Sequence, residues 1–212
     1  MHVITDISKN LPPGSTAPES GIAGMTEKLN SELEKWKNKE ERQNYEVLKR
    51  YWEHIGWDES EWDPSSVPWS GAFVSFLAPG LPGSAAHWEY VQHVIDGKGS
   101  GWSAYKIDKG TVLNVGDIVI KNRGSGGLKG TQDYYKSHGD IVHSVLGDRV
   151  SLVGGNLGSG GSGTQTAKLT GTIPRKGNQH SYLIVLKKKK RMIAPLLVLG
   201  VAAIAALWIK MR

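Results

Sequence analysis

The 212-residue chain contains no cysteine. This absence excludes disulfide bonds, thiolate metal sites and a cysteine nucleophile, and it leaves the redox compartment of the protein undetermined. Residues 1–10 also lack the basic start and the apolar run that define a secretory signal peptide. Any membrane insertion is therefore expected to occur after translation.

Positive charge is scarce outside the C-terminal end of the chain. The net charge is +6, but residues 187–191 together with Lys210 and Arg212 supply seven positive charges, so the rest of the chain is close to neutral. Since no basic stripe exists elsewhere, we do not expect nucleic acid as a partner. A cluster of lysines beside an apolar segment instead favours an anionic membrane surface.

A long uncharged segment lies between these basic groups. Residues 192–209 contain no charge and one proline, and as a helix they would span about 27 Å. A buried terminal helix would normally show a polar face, and Trp208 occupies an interfacial position. The sequence predicts a basic juxtamembrane segment at 187–191 and a tail-anchoring transmembrane helix at 192–209, with the N-terminal body on the cytoplasmic side.

The remaining chain divides into an arm and one domain. Residues 1–24 lack periodicity and are expected to form an extended arm or linker, whereas residues 25–186 are expected to fold as a single domain. Helical periodicity predicts one bent helix or two helices between Thr26 and Ile55, a buried helix after Pro68, and a short helix from about Ser84 through Ile95.

Beyond Gly110 the apolar period changes to two, which is typical of strands. Five strands are predicted, at Val115 to Asn122, His138 to Leu146, Arg149 to Gly154, Thr164 to Ile173 and Ser181 to Leu186. Helices followed by a mostly antiparallel sheet define an α+β fold. The glycine-rich loops at 124–130 and 154–163 do not match a phosphate-binding loop.

Ser70 is the first candidate for chemistry. It lies in the first turn of the helix predicted after Pro68, where unpaired backbone N–H groups and the helix dipole stabilise negative charge. These groups can form an oxyanion hole beside a serine nucleophile. Capping of the helix by Ser70 is the alternative interpretation.

His138 and Asp140 are the candidates for a base and its orienting group. Residues two apart on a strand share a face, so these side chains are expected to be neighbours. A simple two-residue turn at Gly147 and Asp148 sets Asn156 opposite Gly139, whereas a longer turn or a bulge sets it opposite Asp140. Strand-end polar residues without a catalytic role are the alternative.

His87 and Arg123 are two further candidate site residues. His87 together with His138 and Asp140 makes a possible two-histidine, one-carboxylate metal site with an activated water. Arg123, at the end of the strand that begins near Gly116, can position a substrate carboxylate such as a peptide terminus or a muramoyl stem, or pair with Asp140.

Four segments in order carry a family resemblance: WSGAFVS at 69–75, GDIV at 116–119, HGDIV at 138–142 and GGN at 154–156. This order resembles the papain-like cell-wall hydrolases of the CHAP and NlpC kind. It resembles more closely an uncharacterised bacterial and phage domain family of that superfamily, in which serine replaces the catalytic cysteine. Tyr51, Trp52, Arg123 and the SAAH segment at 84–87 share in the resemblance, which covers about residues 27–186.

The resemblance implies a papain-like fold, with N-terminal helices packed on a five- or six-stranded, mostly antiparallel sheet. It implies Ser70 as the nucleophile, His138 as the base, and Asp140 or Asn156 as the orienting group, with no cofactor. Replacement of cysteine by serine requires a stronger general base, because a hydroxyl ionises far less readily than a thiol.

The function expected on these grounds is a membrane-anchored peptidoglycan amidase or endopeptidase, used by a phage for cell entry or lysis. Its partners are peptidoglycan, a lipid bilayer contacted through residues 187–212, and capsid or other virion proteins. It would lie in a virion internal membrane or the bacterial inner membrane. The alternatives are a non-catalytic structural or wall-binding virion protein and the metal-dependent hydrolase.

Overall fold

The structure is a computed structural model that describes residues 20–61, 67–123, 137–158, 163–177 and 181–189, with side chains from residue 22 onward. The predicted transmembrane helix at 192–209, the glycine-rich loop at 124–130 and most of the predicted arm lie outside these residues. Within the described ranges, none of the helices has the length and apolar character needed to cross a bilayer.

The described residues form an N-terminal group of helices. These are α1 (Ser20–Trp36), a short 3₁₀-helix (Glu41–Gln43), α2 (Tyr45–His54), α3 (Ser70–Leu77) and α4 (His87–Ile95). Helix α3 is apolar on nearly every side because it is buried between α2 and the sheet.

The strands follow the helices and form one six-stranded antiparallel sheet. They are β1 (Trp102–Lys106), β2 (Ile118–Asn122), β3 (Ser137–Leu146), β4 (Arg149–Leu157), β5 (Thr166–Pro174) and β6 (Tyr182–Lys188), in the order β1-β6-β2-β3-β4-β5. The α+β prediction is therefore confirmed, with the helices first and the antiparallel sheet second.

Several element boundaries differ from the sequence prediction. Helix α1 begins at Ser20, six residues before the predicted start at Thr26, so the predicted arm is not extended over its last residues. Strand β1 was not predicted, and α4 begins at His87 instead of Ser84. Two residues assigned to the juxtamembrane segment, Lys187 and Lys188, instead complete strand β6.

Lys187 has a structural role that the sequence did not indicate. Its ammonium group donates to the Asp117 carboxylate and to the Val112 carbonyl oxygen, and its side chain is only 14% exposed. Because a buried carboxylate compensates this charge, Lys187 adds little to any attraction between the body and anionic lipid.

The two faces of the sheet carry separate apolar clusters. Alternate residues of β2 illustrate the division: Ile118 and Ile120 pack against the helices, whereas Val119 packs on the other face with Val142 and Tyr182. The helix side holds the larger core, which includes the stacked Trp36 and Trp69 rings, 4.6 Å apart. This division into faces determines which polar side chains can meet.

The β3–β4 hairpin combines a two-residue turn with a bulge. Leu146 pairs with Arg149 across the turn, but the register shifts between Val142 and Ser144, which leaves His143 as the extra residue. In the β3–β4 pairing the bulge therefore lies on β3, and a further register shift between Gly154 and Leu157 interrupts the pairing of β4 with β5. Beyond the β3 bulge Ile141 pairs with Val153, and Asn156 adopts a left-handed backbone with φ of 56°.

Candidate active site

Ser70 is the first residue of α3 and lies where the chain enters the core. Trp69 precedes it, and the Trp69 carbonyl oxygen accepts the first helical hydrogen bond, from the Phe73 N–H at 2.9 Å. The N–H groups of Ser70 and Gly71 therefore belong to the helix end, where no intrahelical acceptor is available. Ser70 is 3% exposed, which shows that this helix end faces other parts of the protein.

Close approach between α3 and the segment that leads into α4 positions Ser70. A Cβ atom on Gly71 would lie only 2.1 Å from the Ala85 carbonyl oxygen, so glycine is required for the contact. One turn further along, the Ser75 hydroxyl donates to the Ser84 carbonyl oxygen and accepts from the Ser84 N–H, both at 3.2 Å. These contacts bring the N-terminal ends of α3 and α4 together.

His87 is the first residue of α4 and contacts Ser70 directly. The Ser70 hydroxyl lies 2.8 Å from His87 Nε2, and the Gly139 backbone N–H donates to the same nitrogen at 3.3 Å. Because a backbone N–H can only donate, Nε2 carries the lone pair and Nδ1 carries the proton. Nδ1 donates to the Tyr90 hydroxyl at 2.5 Å, which fixes this tautomer. His87 is therefore oriented to accept the Ser70 proton.

The surroundings of His87 favour its neutral form. Burial lowers the pKa of His87 well below its usual value, and the neighbouring His138 and Arg123 lower it further, while the Asp140 carboxylate acts in the opposite direction. The position at a helix N-terminus also disfavours an imidazolium ion. His87 is therefore neutral near pH 7, and the same lowered pKa makes it a weaker base than a free imidazole.

His138 lies on the other side of strand β3 from His87. Gly139 faces the helices, because a Cβ there would lie 2.6 Å from both His87 Nδ1 and the Tyr90 hydroxyl oxygen. Its neighbours His138 and Asp140 consequently face the opposite side of the sheet. The two imidazole rings still approach closely, with 5.6 Å between centroids, since no side chain at Gly139 separates them.

His138 and Asp140 form the centre of a second buried cluster. Arg123 donates to His138 Nδ1 at 2.6 Å, so the proton of His138 is on Nε2 and is donated to Asp140 Oδ1 at 3.1 Å. The other carboxylate oxygen accepts from the Tyr182 hydroxyl, and Lys121 Nζ lies 3.7 Å from it.

The Asp140 carboxylate is stabilised in its charged form although it is fully buried. Burial alone would raise the pKa of Asp140, but the hydrogen bonds from His138 and Tyr182 and the charge of Lys121 hold it below the usual value. The absent side chain of Gly154 leaves room for this arrangement, because a Cβ there would lie 2.3 Å from Asp140 Oδ1.

The structure thus brings the predicted residues together in two groups. Ser70 pairs with His87, not with His138 as the sequence analysis expected, because His138 points away from the helix layer. The expected pairing of His138 with Asp140 is present. Asn156 lies in β4 with a left-handed backbone, and the group that accepts the His138 proton is Asp140.

The three-residue metal alternative has no support from this geometry. Among the described residues, no group of three histidine, aspartate or glutamate side chains is arranged to hold a metal ion. Both ring nitrogens of His138 have hydrogen-bond partners, Arg123 and Asp140, and His87 Nε2 faces Ser70.

Two tyrosines of the site were not found from the sequence. Tyr90 lies three residues after His87 on α4, a spacing at which helical side chains are neighbours, so this partner was open to prediction. Tyr182 reaches Asp140 from β6, and only the strand order makes that contact visible.

No family model matches the chain, and no curated protein matches it.

Proposed function

We propose that this protein is a serine hydrolase of peptidoglycan amide bonds, with Ser70 as the nucleophile and His87 as the general base. The observation that carries the proposal is the 2.8 Å contact between Ser70 Oγ and His87 Nε2, together with the tautomer in which Nε2 is unprotonated. A nucleophile, a base within hydrogen-bond reach and a third group that orients the base are the parts this chemistry needs. Tyr90 supplies the third part.

The reaction proceeds by acyl transfer. As Ser70 Oγ bonds to the scissile carbonyl carbon, its proton moves to His87 Nε2, and the carbonyl oxygen becomes an oxyanion. When the C–N bond breaks, the same proton passes from Nε2 to the leaving amine. Water then attacks the acyl-serine, gives a proton to Nε2, and the proton returns to Ser70 as the acid product leaves.

The helix ends provide the electrostatic part of the mechanism. The N–H groups of Ser70 and Gly71 at the start of α3 stabilise the oxyanion, since they lack intrahelical acceptors. The N-termini of α3 and α4 meet at Ser70 and His87, so their dipoles favour negative charge on Ser70 Oγ. This environment partly compensates for the high intrinsic pKa of a serine hydroxyl.

The choice of peptidoglycan follows from the resemblance of the four ordered segments to papain-like wall hydrolases. The α+β architecture, with a nucleophile on a helix packed against an antiparallel sheet, is compatible with a papain-like fold. Replacement of the family's cysteine by Ser70 and the use of His87 as its direct partner would distinguish this chain from those enzymes. We also propose, from residues 192–209, that the enzyme acts beside a phage or bacterial membrane.

The proposal is tested by incubating the full chain, kept in mild detergent, with purified cell walls. We expect the suspension to clear and new amino groups to be released, and Ser70→Ala to abolish both effects. Ser144→Ala is the matched control, because Ser144 bonds only to the Ser151 hydroxyl at 2.6 Å within the described contacts and lies near the β3–β4 turn. Equal activity of wild type and Ser70→Ala would refute the assignment.

A non-catalytic wall-binding protein is the second candidate, and one observation favours it. Ser70 and His87 are each only 3% exposed, so a substrate reaches Oγ only if the surrounding residues move. This candidate predicts that the full chain sediments with cell walls and releases neither amino nor reducing groups.

A further inference from the structure

The His138–Asp140 cluster takes no part in the acyl-transfer steps, but it holds the exposed guanidinium of Arg123. Arg123 is exposed at the end of β2, and its guanidinium donates to His138 Nδ1 at 2.6 Å. A guanidinium presents five N–H groups, and the bond to His138 uses one of them. Within the described residues, no other hydrogen bond of this side chain is present. A planar fork of donors held by a buried partner is suited to binding a carboxylate.

The charge balance of the cluster also favours an anion. Its charged members are one carboxylate, Asp140, and two cations, Lys121 and Arg123. Lys121 lies 3.7 Å from Asp140, whereas Arg123 contacts His138 and interacts with the Asp140 carboxylate through its charge alone. The described members of the cluster therefore carry one positive charge in excess.

From this arrangement we infer that Arg123 is a specificity-determining residue that binds a free carboxylate of the substrate. The inference rests on the proposed amide-hydrolase function and adds to it the class of substrate. The contacts from Arg123 through the two histidine rings to Ser70 add up to about four extended residues, at about 3.4 Å each, and they cross strand β3 at Gly139. The preferred substrate is thus a peptide with a free carboxylate that extends from the scissile amide around the end of β3 to Arg123.

Binding is measured first, by titration calorimetry with the full-length Ser70→Ala protein, which cannot turn substrate over. The probes are two synthetic stem-type tetrapeptides of alternating L and D residues, identical except for a C-terminal carboxylate or carboxamide. We expect the carboxylate peptide to bind at least about 10-fold more tightly, as for one charge-assisted contact. Adding Arg123→Gln to this protein should remove the difference.

Arg149→Gln is the matched control, because Arg149 is also exposed but donates to Thr172 near the β3–β4 turn. It should retain the preference for the carboxylate peptide. If Arg123→Gln fails to fold, Arg123→Lys replaces it and should weaken the preference, since a single ammonium group cannot match the guanidinium fork.

Equal affinity for the two peptides, or a preference that survives Arg123→Gln, would overturn the inference. Catalysis is then measured with the wild-type protein on the same pair. A lower KM for the carboxylate peptide, lost in Arg123→Gln with kcat changed much less, supports a role in specificity. Selective binding without any hydrolysis would refute the proposed function and not the carboxylate site, so the two failures are distinguishable.

Discussion

Replacing Gly71 by alanine should separate Ser70 from His87. The added Cβ would lie 2.1 Å from the Ala85 carbonyl oxygen, so α3 and the segment before α4 must move apart by about 1 Å to reach a tolerable contact. A displacement of that size along the 2.8 Å contact from Ser70 Oγ to His87 Nε2 takes it beyond hydrogen-bond distance. We therefore expect hydrolysis to fall by about 100-fold, as for other misplacements of this scale.

The stability of the same variant can be worked out from two opposing effects. Alanine gains up to about 1 kcal/mol over glycine in a helix, and less in the first turn, where Gly71 lies, whereas overpacking of a tight contact costs about 1–3 kcal/mol. We expect Gly71→Ala to lower the free energy of unfolding by about 1 kcal/mol in urea titrations. Gly24→Ala in α1 is the control, because a Cβ at Gly24 meets nothing within 4 Å and should be neutral or stabilising. A Gly71→Ala protein with wild-type stability and hydrolysis would refute this account of the helix contact.

Three other predictions concern His87 and its partners. His87→Gln should reduce cell-wall hydrolysis by about 100-fold or more, whereas His143→Gln, which replaces a histidine on the β3 bulge, should leave it unchanged. Tyr90→Phe should lower kcat by about 10-fold with little change in KM, because Nδ1 loses its acceptor and the productive tautomer is no longer fixed. Burial keeps the pKa of His87 in the folded protein well below its value in the unfolded chain. Below about pH 6.5 the His87 side chain therefore binds a proton in the unfolded state but not in the folded state, so the free energy of unfolding decreases as the pH falls. Urea titrations should show this loss at up to about 1.4 kcal/mol per pH unit, and equal slopes for wild type and His87→Gln would contradict it.

The elements most easily predicted from the sequence were those with strong local periodicity. Strands β3 and β4 show clear alternation on either side of a Gly-Asp turn, and their predicted ranges closely follow the observed ones. Strand β1 was missed because it is five residues long and follows three closely spaced glycines, at 97, 99 and 101. The start of α1 was predicted late because Gly24 lowers helix propensity in its first turns.

The pairing of side chains in the site was harder to predict than the elements that carry them. Sequence spacing correctly placed His138 and Asp140 on one face of β3, but it did not show which face meets the helices. That choice depends on Gly139, the position that α4 covers with His87 and Tyr90. The contact of Ser70 with His87 likewise depends on the approach of Gly71 to Ala85, which no local pattern specifies.

The central claim, that His87 activates Ser70, is tested most directly by covalent labelling. The full chain is treated with a fluorophosphonate, and the modified residue is located by mass spectrometry of its peptides. We predict phosphonylation of Ser70 in the wild type, none in Ser70→Ala at any serine, and slowing by at least about 100-fold in His87→Gln. Labelling of Ser70 at the wild-type rate in His87→Gln, or an unmodified Ser70 in the wild type, would contradict the claim.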